Sequence, residues 1–184
     1  MVIFDYIDSN IRVFDNMYAK RLKAYKRIGY SLQVEPDIQK QKANAIYDYE
    51  SYAKVYCRDL EDAKTSIVVS SPSLRYSKVN KFISDMKPLQ ERGVKITVLT
   101  WNPDSYNFGN PIHKMEMIRT LNEAGIEVVL KEENCLHFAV IDNSIVWYGS
   151  LNLLGKEDVE DNIMRIESDE IAAELFELSF GRRQ

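Results

Sequence analysis

The stretch "CLHFAVIDNSIVWYGSLN", residues 135–152, decides how this chain is read. Two apolar runs rich in β-branched and aromatic residues flank the short turn "DNS", which predicts an antiparallel hairpin. With Asn143 and Ser144 as the turn, Asp142 pairs with Ile145, His137 with Ser150 and Cys135 with Asn152. Residues two apart on a strand share a face. Cys135 and His137 therefore point the same way, and four polar side chains gather at one end of an apolar hairpin. Asp142 falls at the turn end. The spacing alone leaves two readings open, a functional site or the finish of a sheet edge.

Upstream the pattern alternates between helix and strand. "YDYESYAKVYCRDLEDAK" (47–64) predicts a helix, and "SIVVSSPS" (66–73) a buried strand that stops at Pro72. "VNKFISDMKPLQERG" (79–93) predicts a helix ending at Gly93, and "VKITVLTWNPD" (94–104) a strand and turn. "PIHKMEMIRTLNEAG" (111–125) starts on a proline and ends on a glycine, as helices do. "IEVVLKE" (126–132) is the next strand. After the hairpin come a strand, "NIMRIES" (162–168), and a helix, "SDEIAAELFELSF" (168–180). The expected fold class is α/β, with a mixed, largely parallel sheet flanked by helices on both faces. The segment 1–44 reads as an N-terminal helical extension. Ile11, Phe14, Tyr18, Leu22 and Tyr25 recur at helical spacing there, before a polar stretch around "VEPDIQKQK". The core domain is then 45–184.

At 184 residues and a net charge of −4, the chain is not a protein coated in nucleic-acid-binding charge. The charge is uneven, with Lys20, Arg21, Lys23, Lys26 and Arg27 together near the start and carboxylates crowded near the end. No run is long and apolar enough to span a bilayer, and the first residues lack the apolar core of a signal peptide. Cys57 and Cys135 make no disulfide framework, so a reducing cytoplasm is expected. Cys57 stands at no metal-ligand spacing to a histidine, so no metal and no cofactor are expected. His113, in the first turn of a helix, reads as a surface residue or as a leaving-group acid reaching from a loop.

In order and spacing, Cys135, His137, Asp142, Gly149, Ser150 and Asn152 resemble the phospholipase D superfamily. Its signature is His-x-Lys, four residues, Asp, then Gly-Ser-x-Asn. Cys135 stands where that family has its histidine and His137 where it has its lysine. Asp142, Gly149, Ser150 and Asn152 match by identity, and "SSP" (Ser70, Ser71, Pro72) is similar to the segment after the family's first core strand. The tail "WYGSLNLLGKEDVEDNIMRIESDEIAAEL" resembles a bacterial subgroup found beside helicase or DNA-processing domains. The resemblance implies metal-free phosphodiester cleavage through a phosphohistidine, with a second histidine protonating the leaving oxygen. It assigns Cys135, His137, Asp142, Ser150, Asn152 and Glu160 to the site. His137, Ser150 and Asn152 fall on the phosphate, and Glu160 or Asp161 where an acid supports the histidine. A single repeat implies a homodimer that completes the site across a twofold axis.

The departures are at the two positions that matter most. A cysteine replaces the attacking histidine, and a histidine replaces a permanently charged lysine. Three readings follow. The site is degenerate, keeping a phosphate-shaped pocket. It is rebuilt, with His137 or a Cys135 thiolate attacking. Or the resemblance is to the fold alone, and the chain is a non-enzymatic module that binds DNA, dimerises or serves a helicase. The expected function is a nuclease-type phosphodiesterase domain associated with DNA processing, with a degenerate site and no membrane partner.

Overall fold

The computed structural model describes residues 44–105 and 110–181, together with Arg21 and Tyr25, both helical. The rest of segment 1–43, which carries the helix expected between Ser9 and Arg27, lies outside the described residues. The chain divides into two compact units, Met1–Gln41 and Lys42–Gln184. All the elements that follow belong to the second.

In chain order these are β1 (Ala45–Asp48), α1 (Tyr52–Glu61), β2 (Ser66–Ser70), α2 (Tyr76–Glu91), β3 (Lys95–Trp101), α3 (Pro111–Glu123) and β4 (Glu127–Lys131). Then come β5 (Phe138–Ile141), β6 (Ile145–Gly149), β7 (Asn162–Glu167) and α4 (Asp169–Phe180). The strands form one seven-stranded sheet in the order β1-β7-β6-β5-β2-β3-β4. The fold is α/β with a mixed sheet flanked by helices, as expected, but the sheet is not largely parallel, because the hairpin β5–β6 and the strands beside it join antiparallel. Helical crossovers make β2–β3 and β3–β4 parallel, while the other pairings are antiparallel.

The helix expected from Tyr47 begins only at Tyr52. Asp48 is responsible: its carboxylate accepts from the amides of Glu50 and Ser51 at 3.2 and 2.8 Å and from the Ser51 hydroxyl at 2.6 Å. This side-chain turn competes with the first helical hydrogen bonds. It frees Ala45–Asp48 to pair with the edge of β7. The later helices follow their sequence signals. Asn110 caps α3 by accepting from the Ile112 amide at 3.0 Å, with Pro111 next in the first turn. Ser168 caps α4 through the Ile171 amide at 3.2 Å, and Asp169 and Glu170 complement its dipole.

The sheet is covered on both faces. On one side Leu60 of α1, Phe82 and Met86 of α2 and Leu121 of α3 pack with Ile67, Val69, Ala139, Ile141 and Trp147. On the other, Ala172 and Leu175 of α4 pack with Leu99, Phe138, Val140 and Val146. β5 is buried throughout, and its residues alternate between the two layers. At such depth a polar group needs a full set of partners. Asp59 of α1 and Arg165 of β7 have side chains 4% and 2% exposed. They pair through two contacts, Nε–Oδ2 at 2.7 Å and Nη2–Oδ1 at 3.0 Å. Trp147 Nε1 donates to the same carboxylate at 2.8 Å, and Glu167 takes a further guanidinium bond at 2.7 Å.

Removing Asp59 takes the bidentate partner from a buried guanidinium and the acceptor from the Trp147 indole. Asp59→Ala is expected to cost about 3–5 kcal/mol, read from urea unfolding. A loss below about 1 kcal/mol, the range of an exposed pair, contradicts this role.

Candidate active site

The hairpin forms, but in a register shifted by one residue from the expected one. Phe138 pairs with Tyr148 and Ile141 with Ile145, and three residues, Asp142 to Ser144, make the turn. Asp142 and Asn143 both take left-handed backbone angles, φ 51° and 56°, which short polar side chains tolerate. A shift of one residue changes every cross-strand partner. His137 now lies opposite Gly149, whose amide donates to the His137 carbonyl at 3.3 Å. β5 begins only at Phe138, so Cys135 is outside the ladder.

The polar residues still collect at the carboxyl end of β2, each through partners of its own. Cys135 is buried, with Sγ 3.8 Å from Ser70 Oγ, and the same hydroxyl donates to the Leu136 carbonyl at 2.5 Å. Burial pushes the Cys135 thiol above its ordinary value, against the opposing effects of Ser70, Lys114 and Lys131. Asn152 is buried as well. Its Oδ1 accepts from the Ser71 hydroxyl, and its Nδ2 donates to Ser73 Oγ at 2.7 Å. Ser71 Oγ also accepts from the Leu154 amide at 2.9 Å. Gly155 makes this arrangement sterically possible, because a Cβ there would sit 2.3 Å from Ser73 Oγ and 2.6 Å from Asn152 Cγ.

His137 Nδ1 lies 2.5 Å from the Ser150 carbonyl oxygen. A carbonyl only accepts, so Nδ1 carries a proton, and in the neutral form of the ring Nε2 is the acceptor. Ser150 is exposed; its hydroxyl accepts from the Asn162 amide at 3.1 Å. Gly149 allows β7 this close, since a Cβ there would lie 2.2 Å from the Asn162 carbonyl oxygen.

Two expected site residues stand apart. Asp142 is at the turn, the far end of β5, where its carboxylate accepts from the amides of Lys64, Thr65 and Ser66 and from the Thr65 hydroxyl. It staples the hairpin to the loop before β2. Glu160 is exposed, and its own amide donates to Asp158 at 3.4 Å. Asp161 accepts from the Asp158 amide at 2.8 Å, and Glu157 accepts from Lys78 Nζ and the Tyr52 hydroxyl, each at 2.5 Å. Sequence reasoning missed this cluster, and no spacing signal marked it. The same holds for Ser73, while Ser70 and Ser71 were visible in "SSP". Among the described residues no group of three His, Cys, Asp or Glu side chains could hold a metal ion.

Residues 56–180 match the family model described as "Cardiolipin synthase, PLD-like domain". The chain belongs to the phospholipase-D-like family. Solved structures agree on the fold of this phospholipase-D-like domain. Nuc from Salmonella typhimurium, a phospholipase D family member, superposes with TM-score 0.52 at 20% identity over 73% of this chain and 90% of its own. NucT from Helicobacter pylori gives TM-score 0.55 at 17% identity, over 72% of this chain and 89% of its own. The archaeal chromatin protein TrmBL2 gives TM-score 0.52 at 18% identity and covers 92% of this chain. The chain spans 62% of TrmBL2. A comparison with curated proteins found no match.

Partial burial raises the Asp142 carboxyl, but its four donors outweigh that and hold its pKa below the ordinary carboxylate value. A depressed folded-state pKa stabilises above the unfolded value and is lost as pH falls through the folded one. Asp142→Asn is therefore expected to lose about 1 kcal/mol at neutral pH, a value discounted for solvent screening. The gap to wild type should close between pH ~4 and more acid conditions. A difference in urea-unfolding stability that does not change with pH contradicts the staple.

Proposed function

We propose that this phospholipase-D-like domain recognises phosphate-bearing nucleic acid and does not cleave it. The observation that carries this reading is Cys135, buried against Ser70 with its thiol pushed up by desolvation. A protonated thiol is a poor nucleophile. Two further facts support it. The Asn152 amide is committed to Ser71 and Ser73, and position 137 holds no permanent cation. Binding thus outlasts chemistry in a scaffold built around phosphate. The family's folds host unlike proteins, among them a phosphatidylserine synthase and a polyphosphate kinase, so chemistry must be argued from the site. TrmBL2 is a chromatin protein that binds DNA, and DNA is the nucleic acid we infer here. Service to a helicase or other DNA-processing protein in the cytoplasm, as a homodimer with the 135–137 segments near its axis, belongs to the same reading.

A second reading has one specific observation in its favour. The Ser150 carbonyl fixes the His137 tautomer and leaves Nε2 as the nucleophilic nitrogen of a rebuilt site.

Hydrolysis of bis-p-nitrophenyl phosphate separates the two. An inert wild type is expected, with activity gained only in the Cys135→His, His137→Lys double variant. Neither single change suffices, because attack and charge stabilisation act as a unit. Wild-type hydrolysis abolished by His137→Ala establishes the rebuilt site and overturns the non-cleaving reading.

A further inference from the structure

The motif has lost its lysine, yet a cation stands close to its cysteine. Between the starts of α2 and α3 lies a cleft of about 540 Å³, lined among others by Ser73, Arg75, Asn110, His113, Lys114 and Glu116. It adjoins the motif directly. Ser73 is the residue that holds the Asn152 amide, and the positive charge of Lys114 is felt at the Cys135 thiol.

Lys114 is the group that asks for a ligand. It is half-buried, and its ammonium has three protons to place. Its one side-chain hydrogen bond among the described residues runs to the Pro72 carbonyl oxygen at 3.4 Å, a long contact. Burial pushes its pKa down, which is the mark of a charge short of compensation. Arg75 and His113 are exposed in the same cleft, so three groups able to carry positive charge stand with one lining carboxylate, Glu116, and with Glu157 close enough to feel the charge of Arg75. The backbone adds to this. α2 runs for 16 residues, its N-cap Arg75 makes no side-chain cap hydrogen bond, and its first turn holds no acidic residue. The uncapped positive end of that helix opens on the cleft through Arg75 and Tyr76. The cations and the helix end favour an anion with several acceptor oxygens, and a phosphoryl group has acceptors for both a guanidinium fork and an ammonium.

We propose that this cleft is the domain's phosphate site, with Lys114 and Arg75 clamping a phosphoryl group beside the inert motif. The proposal deepens the phosphate-recognition reading and rests on it. It places the missing lysine's role on a helix of another part of the chain. His113, which the sequence presents as a surface residue, becomes a donor at the rim.

The test is a titration of the isotope-labelled full chain, followed by amide NMR at constant ionic strength. Three probes are used: inorganic phosphate, a 5′-phosphorylated deoxyoligonucleotide, and the same strand without its phosphate. Saturable shifts at Tyr76, Asn110 and Lys114 are expected. Lys114→Gln should weaken binding by about tenfold or more, as the loss of a charge-assisted contact does. Arg75→Gln, a change at an exposed position, should weaken it in the same direction without risk to the fold. Arg119→Gln, which removes an exposed cation of α3 outside the cleft, should leave it unchanged. Shifts with the phosphorylated strand but not its partner identify a nucleic-acid terminus, and shifts with inorganic phosphate alone identify a free anion; both support the site. The proposal is overturned by no saturable shift with any probe, by shifts that sodium chloride reproduces, or by affinity unaltered in both cation variants. Cleavage by the wild type sinks the non-cleaving reading but leaves this site standing. An inert wild type whose saturable shifts with the strands fall away from Tyr76, Asn110 and Lys114 sinks the site alone, and one that binds no probe sinks the phosphate-recognition reading with it.

Discussion

The hydrogen bonds of Ser71 and Ser73 to the Asn152 side chain tie the loop after β2 to the loop after β6. These loops are 81 positions apart in the chain, as Ser71 and Asn152 are. Their meeting is what makes the carboxyl end of β2 a site. It depends on the antiparallel hairpin β5–β6 docking beside a parallel β2–β3–β4 unit. At that junction the strand directions change, and open α/β sheets put their ligand crevices outside the carboxyl ends of such strands. The same hydrogen bonds have a chemical consequence. An amide whose oxygen and nitrogen both have protein partners has less to offer a phosphoryl oxygen.

The architecture that holds this junction is polar as well as apolar. Asp59, Arg165 and Trp147 link α1, β7 and β6 through one buried carboxylate, and Asp142 links the hairpin turn to the loop before β2. Both acids act as acceptors for fixed donors. Neither reaches the Cys135 end of the hairpin. The phospholipase-D-like scaffold thus holds Asp142 as a structural staple.

Much of this was legible in the residues, because period, caps and turn signals are local. The helix–strand alternation, the proline start and glycine end of α3 and the hairpin itself were readable. The family frame followed from six ordered positions. What escaped was set by context. The turn takes three residues because Asp142 and Asn143 both adopt left-handed angles, and composition does not announce that. The error of one residue moved His137 from Ser150 to Gly149. Tyr47 and Asp48 read as helix until β7 supplies an edge for Ala45–Asp48 to pair with. Lys114 lies outside every motif, and its closeness to Cys135 comes from packing α3 against the sheet. Glu160 was chosen by spacing in an acidic loop, where Glu157 instead finds Lys78 and Tyr52.

The proposed function requires a neutral thiol rather than a nucleophile at the motif's first position. The direct measurement is the pH dependence of the ultraviolet thiolate absorbance of Cys135, taken in a Cys57→Ser background so that one thiol reports. Titration above the ordinary thiol range is predicted, because burial against Ser70 disfavours the charged form. A thiolate already formed at neutral pH contradicts the account and makes Cys135 a nucleophile.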